Sequence, residues 1–233
     1  MNLYSDRRYR FAVVAAILTT ISFNLTGCGS GRGVTIGEEA KTAASPAAIV
    51  ADAYLFDAVL KREGKTTSFR LEMYATDSAV GLAGRGYLGK GALRGVLRSD
   101  SLKVYFPSTN EYVNADLASL LSDSTCPIEL GGFDPVRYMS ALPDSATVKS
   151  PLVVTQTVKS QNRQEYLVTA GCDWTLTLVY DRREIGWRPV EIEFETTNGT
   201  TLRAVRREFR PNGRIKTTKF STPIPPDAIR IRP

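Results

Sequence analysis

Thr66-Thr67-Ser68-Phe69-Arg70-Leu71-Glu72-Met73-Tyr74-Ala75 is the stretch whose reading decides the fold class. Phe69, Leu71, Met73 and Ala75 alternate with Arg70, Glu72 and Tyr74, so an extended segment here has one apolar and one largely polar face. The period of two continues outward. Val80, Leu82, Gly84, Gly86 and Leu88 alternate through the next run, then Leu93, Gly95 and Leu97, then Leu102, Val104 and Phe106. Short polar connections separate the runs, which is the pattern of an antiparallel meander with a single buried side.

A second strand series lies toward the C-terminus. Its clearest member has Val190, Ile192 and Phe194 alternating with Glu191, Glu193 and Glu195. Asn198-Gly199 is then read as a two-residue hairpin turn with positive φ at both positions. Leu202 to Phe209 returns, and Pro211-Asn212-Gly213 is read as a further turn toward Ile215 to Phe220. Residues 151–159, 163–170 and 174–181 give weaker strand patterns. Between the two series, Ala115 to Leu121 and Phe133 to Leu142 read as helical, joined by a loop with Cys126, Pro127, Gly131 and Gly132. Ahead of the first series, Ser45 can cap a helix with Pro46 at its first position. Ile49, Val50, Ala53, Phe56, Val59 and Leu60 recur at helical spacing and Gly64 stops the run. Many strands without βαβ alternation predict a mainly β (α+β) fold: a curved antiparallel sheet or barrel with an N-terminal helix and the central helices on one side.

Residues 1–27 read as an export signal. Arg7, Arg8 and Arg10 form a positive head, and Phe11 to Phe23 form an uncharged apolar run of about a dozen residues, short of the roughly 20 that a spanning helix needs. Leu25-Thr26-Gly27-Cys28 follows, with the form of a bacterial lipobox: an aliphatic residue, two small residues, and a thiol able to accept diacylglycerol. Cys28 is therefore the expected lipidation site, and acylation of its freed amine would supply the second anchoring signal that stable attachment requires. Residues 28–44, beginning Cys28-Gly29-Ser30-Gly31-Arg32-Gly33, read as a flexible tether, and 45–233 as the folded domain.

Composition narrows the chemistry. The chain has no histidine, which removes the usual general base, the usual neutral metal ligand and every Ser-His or Cys-His arrangement. No catalytic group or cofactor is expected. The net charge of +6 falls to 27 − 23 = +4 once Arg7, Arg8, Arg10 and Asp6 are removed, too mild to argue for nucleic acid. With Cys28 taken by the anchor, Cys126 and Cys172 are the candidates for a disulfide in an oxidising compartment. Gly84-Arg85-Gly86-Tyr87-Leu88-Gly89-Lys90 fits two phosphate-loop patterns by spacing, but Gly91 stands where a P-loop has Ser or Thr, and the continuation alternates instead of opening a helix. These glycines read as strand bends in a sharply curved sheet. Arg203, Arg206, Arg207, Arg210, Arg214, Lys216 and Lys219 concentrate positive charge near the C-terminus. They read either as a contact for anionic lipid or an acidic partner, or as the charged exposed side of two edge strands paired with Glu191, Glu193 and Glu195.

Three segments carry a family resemblance. Gly86-Tyr87-Leu88-Gly89-Lys90-Gly91-Ala92-Leu93-Arg94, Ser101-Leu102-Lys103-Val104-Tyr105-Phe106-Pro107 and Ile224-Pro225-Pro226-Asp227-Ala228-Ile229-Arg230-Ile231 resemble the third strand, the following strand and the terminal segment of the LolA/LolB-like superfamily of envelope lipid and lipoprotein carriers. The resemblance covers roughly residues 45 to 233. It implies a half-open barrel that shelters acyl chains, in a lipid-anchored member more similar to LolB or to mycobacterial lipid-carrying lipoproteins than to soluble LolA. Gly29 after Cys28 implies, by the same resemblance, sorting to the outer membrane facing the periplasm. The cavity-lining candidates are Phe69, Leu71, Met73, Leu82, Leu88, Leu93, Leu97, Leu102, Val104, Phe106, Val190, Ile192 and Phe194. The rival expectation is a structural or assembly lipoprotein with a filled barrel, whose basic C-terminal strands bind a protein partner.

Overall fold

The computed structural model describes residues 47–86, 91–122, 128, 133–142, 152–170 and 172–231. The signal, Cys28, the tether, Leu88 and Cys126 lie outside the described residues. One twelve-stranded sheet dominates, curved and open, in the order β12-β6-β5-β4-β3-β2-β1-β11-β10-β9-β8-β7. In chain order the strands are β1 (Ala48–Arg62), β2 (Lys65–Ala75), β3 (Val80–Arg85), β4 (Gly91–Leu97), β5 (Ser101–Phe106) and β6 (Glu111–Asp116). Two short helices follow, α1 (Leu117–Leu121) and α2 (Pro135–Ser140). Then come β7 (Val153–Lys159), β8 (Arg163–Thr169), β9 (Trp174–Arg183), β10 (Gly186–Thr196), β11 (Thr201–Lys216) and β12 (Ile229–Arg230). All pairings are antiparallel except β12 with β6. The meander, the second strand series and the central helices stand close to where the sequence pattern puts them, except that Ala115 and Asp116 belong to β6 and not to the first helix, and that Thr217–Phe220 form a 3-10 turn and not the end of a strand.

The N-terminal helix does not form. Residues 48–62 are the longest-paired strand of the sheet, bonded to β11 on one side and to β2 on the other. From Tyr54 onward the buried positions are Tyr54, Phe56, Ala58 and Leu60, a period of two. The helical spacing of Ile49, Val50, Ala53, Phe56, Val59 and Leu60 arises because both faces of the strand carry apolar side chains, Val50, Phe56 and Leu60 at even positions and Ile49, Ala53 and Val59 at odd ones. Two full ladders and a β-branched and aromatic content outweigh a local helical pattern. Gly64 does turn the chain, but as half of a hairpin: Glu63 and Gly64 both have positive φ, 49° and 74°, as a tight two-residue turn requires.

Two turn readings also change. Gly199 has positive φ but Asn198 does not. Gly199 N donates to Thr196 O at 2.9 Å and Thr196 N to Thr200 O at 3.0 Å, which is a longer loop with one left-handed residue. Pro211-Asn212-Gly213 is no turn. Strand β11 runs straight through it, and the register slips between Ala51↔Gly213 and Ala53↔Arg210. Asn212, at φ 51°, has its N–H bonded to Asp52 Oδ1 at 3.0 Å, so an aspartate side chain satisfies the donor that the bulge takes out of the ladder.

Candidate functional site

Register across the sheet collects the inward side chains into one concave surface. Reading along one row, Val113 faces Val104, then Gly95, Leu82, Met73, Tyr54 and Phe209. Along a second row Phe69 faces Ala58, then Ala204, Ile192, Leu178 and Tyr166. Two glycines on this surface leave their side-chain space to a neighbour. A Cβ on Gly84 would stand 2.8 Å from Leu93 Cγ, and one on Gly95 would stand 2.9 Å from Val104 Cγ2. Neither position can carry a side chain while its neighbour keeps its place.

Both helices lie over the concave surface. Asp116 Oδ1 accepts from Ser119 N at 2.9 Å and starts α1, while Asp134 Oδ1 accepts from Val136 N at 3.0 Å and starts α2 with Pro135 at its first position. Their C-terminal carbonyls are held by aromatic donors from the sheet. Trp174 Nε1 donates to Leu121 O at 3.2 Å, Tyr180 Oη to Tyr138 O at 2.6 Å and Tyr54 Oη to Ser140 O at 2.9 Å. Last-turn carbonyls have no partner within their own helix, so these bonds both satisfy them and fasten the lid. Burial pushes the Tyr180 and Tyr54 phenols well above their ordinary value, with the Asp52 carboxylate adding to the effect at Tyr54. Both remain neutral donors across the physiological range.

Packing divides the surface into two apolar clusters. One lies beneath α2 and includes Phe69, Met73, Ile192, Val136 and Tyr138, with Phe194 against it. The other lies beneath α1 and includes Leu93, Val104, Phe106, Leu117 and Leu120, with Leu102 against it. Leu71, Leu82 and Leu97 touch both clusters and are only half-buried. Eleven of the thirteen lining candidates thus meet on one surface. Leu88 is not described. Val190 belongs to neither cluster: the ladder with β9 passes from Pro189↔Tyr180 to Glu191↔Val179, leaving Val190 as the bulged residue without a partner.

The basic C-terminal strand is not an edge. Strand β11 is central, between β1 and β10, and its charges divide. Arg203 is exposed and pairs with Glu191 at 2.6 Å, as the hairpin reading anticipates. The Arg206 side chain is only 4% exposed. Its Nη2 meets Asp181 Oδ2 at 2.5 Å, its Nη1 donates to Pro189 O at 2.9 Å, and its guanidinium lies 5.6 Å from the Phe209 ring centre. Beside it Arg188 Nε meets Asp52 Oδ2 at 2.9 Å. Sequence reasoning missed this buried pair of ion pairs, because Arg206 sits in a run of arginines whose other members face water. The one available signal was parity: Leu202, Ala204 and Arg206 share a face. Cys172 is disulfide-bonded, and its partner lies outside the described residues.

Chemically the surface offers apolar area and neutral hydroxyl donors already in use. Among the described residues no three Cys, Asp or Glu side chains gather as a metal would need, and no helix is long and apolar enough to cross a membrane. No family model matches the chain, and no curated protein matches it. Solved structures similar to it include a LolA superfamily protein from Nitrosomonas europaea (8% identity, TM-score 0.38, covering 74% of this chain and 90% of that one). A DUF1329 family protein from Desulfovibrio piger is 11% identical with a TM-score of 0.40, covering 73% and 89%. An uncharacterized conserved protein from Thermus thermophilus is 12% identical with a TM-score of 0.39, covering 78% and 90%.

Proposed function

We propose that this chain is a lipid-anchored protein of the bacterial envelope, attached through Cys28, that holds acyl chains of a lipid or lipoprotein between its concave sheet and the two lid helices. The observation that carries this reading is the seam formed by Leu71, Leu82 and Leu97, apolar, half-buried and continuous with both clusters. An acyl chain laid along it removes its own methylenes and these leucines from water together. At about 0.8 kcal/mol per methylene, ten buried carbons offset roughly 8 kcal/mol of aqueous exposure, and no catalytic group is required. The lid is suited to moving aside: it consists of two short helices joined to the sheet by aromatic side-chain bonds.

A second reading has its own support. Phe56, Val80, Phe106, Val113, Val136, Leu178 and Tyr180 are completely buried by neighbouring side chains, which is how a filled barrel serving only as a scaffold for a protein partner would look. Titrating residues 45–233 with a fluorescent fatty acid separates the two. Carriage predicts saturable binding that Leu82→Arg abolishes while the variant stays folded. A probe that never saturates the protein speaks for the scaffold.

A further inference from the structure

The face opposite the lid carries a second, unrelated feature. After β11 the chain crosses this outer face and ends paired with β6 at the far side of the sheet. It passes so close over β3 that a Cβ on Gly81 would overlap the Lys219 carbonyl oxygen. Beyond that crossing, Phe220, Ser221, Thr222 and Pro223 form one wall of an open pocket of about 370 Å³. The other wall is the cross-strand row Val96, Lys103 and Asn114, with Arg98 and Ser101 beside it.

Three properties of this pocket point the same way. Its two charged lining residues, Arg98 and Lys103, are both cations, and neither forms an ion pair among the described residues. Thr222 is 4% exposed, and its Oγ1, without a hydrogen-bond partner, lies behind the pocket wall and reaches a ligand there only by rotation about χ1. A buried hydroxyl without a partner is costly unless something completes it. The acids nearby in the chain, Asp100 and Asp116, keep their charge, but they bond Ser101 Oγ and the start of α1 and form no ion pair with either cation among the described residues. Arg230, whose Nη2 donates to Asn114 O at 3.1 Å, brings a further positive charge to the same row.

Two unpaired cations, an unsatisfied hydroxyl and an amide match the oxygens of a phosphoryl group, with Val96, Phe220 and Pro223 to receive the carbon attached to it. We infer that the outer-face pocket between β4, β5, β6 and the segment 220–223 binds a phosphoryl group through Arg98, Lys103 and Thr222. The group can belong to a soluble phosphate ester or to a phospholipid headgroup. This inference is independent of acyl binding on the concave face.

The test uses the full chain in neutral maltoside micelles. One arm titrates glycerol 1-phosphate and follows heat and thermal midpoint. The other compares micelles doped with phosphatidylglycerol against micelles doped with diacylglycerol, which lacks the phosphate. Saturable binding in the first arm identifies a soluble ester, and binding of phosphatidylglycerol alone identifies a lipid headgroup. In either case Arg98→Gln with Lys103→Gln weakens the ligand about tenfold or more, and Thr222→Val about threefold, whereas Arg214→Gln with Lys216→Gln, exposed on β11, leaves it unchanged. Absence of saturable binding in both arms overturns the assignment. So does an equal loss in the Arg214 and Lys216 control, or unchanged affinity in both pocket variants.

Discussion

Replacing Tyr180 by phenylalanine removes one oxygen and leaves the Tyr138 carbonyl buried without its donor. An orphaned buried acceptor costs about 1–3 kcal/mol, so Tyr180→Phe lowers the unfolding free energy of residues 45–233 by that amount in urea titration. A loss below about 0.5 kcal/mol would show that water reaches the carbonyl and the lid is not closed there. The two arginines of β11 that differ most in surroundings give a second test. Arg206→Met strips the Pro189 carbonyl and Asp181 of a buried donor and costs roughly 1–3 kcal/mol. Arg203→Met breaks a surface pair with Glu191 and costs less than about 1 kcal/mol. Equal losses would mean that burial does not set the worth of these pairs. At this scale the sequence was a poor guide, since Arg203 and Arg206 look alike in composition and only strand parity separates them.

Among the elements, the crossing segment 217–223 depends on a cluster that responds to pH. Glu72 receives Tyr74 Oη at 2.6 Å, Arg85 Nε at 2.9 Å and Lys219 Nζ at 3.3 Å, and Lys219 stands 4.8 Å from the Tyr74 ring centre. Burial alone would raise the Glu72 carboxyl, but the bonds from Tyr74 and Lys219, with the nearby positive charges, outweigh it and hold the group below its ordinary value. A depressed carboxyl stabilises the fold above its unfolded value and loses that contribution as pH falls through the folded one. Protection of the amides of residues 217–223 against hydrogen exchange, taken relative to their intrinsic rates, is therefore high at neutral pH and falls in the acid range, and Glu72→Gln lowers it at neutral pH. Exchange that ignores both changes would place the hold elsewhere, at Gly81. Element identity was legible wherever one face was apolar and the other polar, as in β2 and β10. It failed at β1, because Leu55 and Val59 make both faces apolar. It failed also at β6 and β12, one running into the first helix and the other only two residues long.

For the whole molecule, what matters is that twelve strands curve over one apolar surface and that the two helices covering it are fastened mainly at their ends. The sequence disclosed the share of the surface on β2 to β5 and β10, where strand alternation fixes which side chains share a face, and missed the share that β1 supplies through Tyr54, Phe56, Ala58 and Leu60. It could not disclose how tightly the lid sits, because a filled interior and a loadable one use the same residue types. The half-buried seam at Leu71, Leu82 and Leu97 is the observation on which the proposal of loading rests. Mass spectrometry of the organic extract from the chain, purified out of the envelope, tests this most directly. The account predicts a non-covalent acyl lipid in stoichiometric amount, separate from the anchor that stays on the polypeptide, and its disappearance in Leu82→Arg. An extract holding no such lipid, or the same lipid from the folded Leu82→Arg protein, would contradict it.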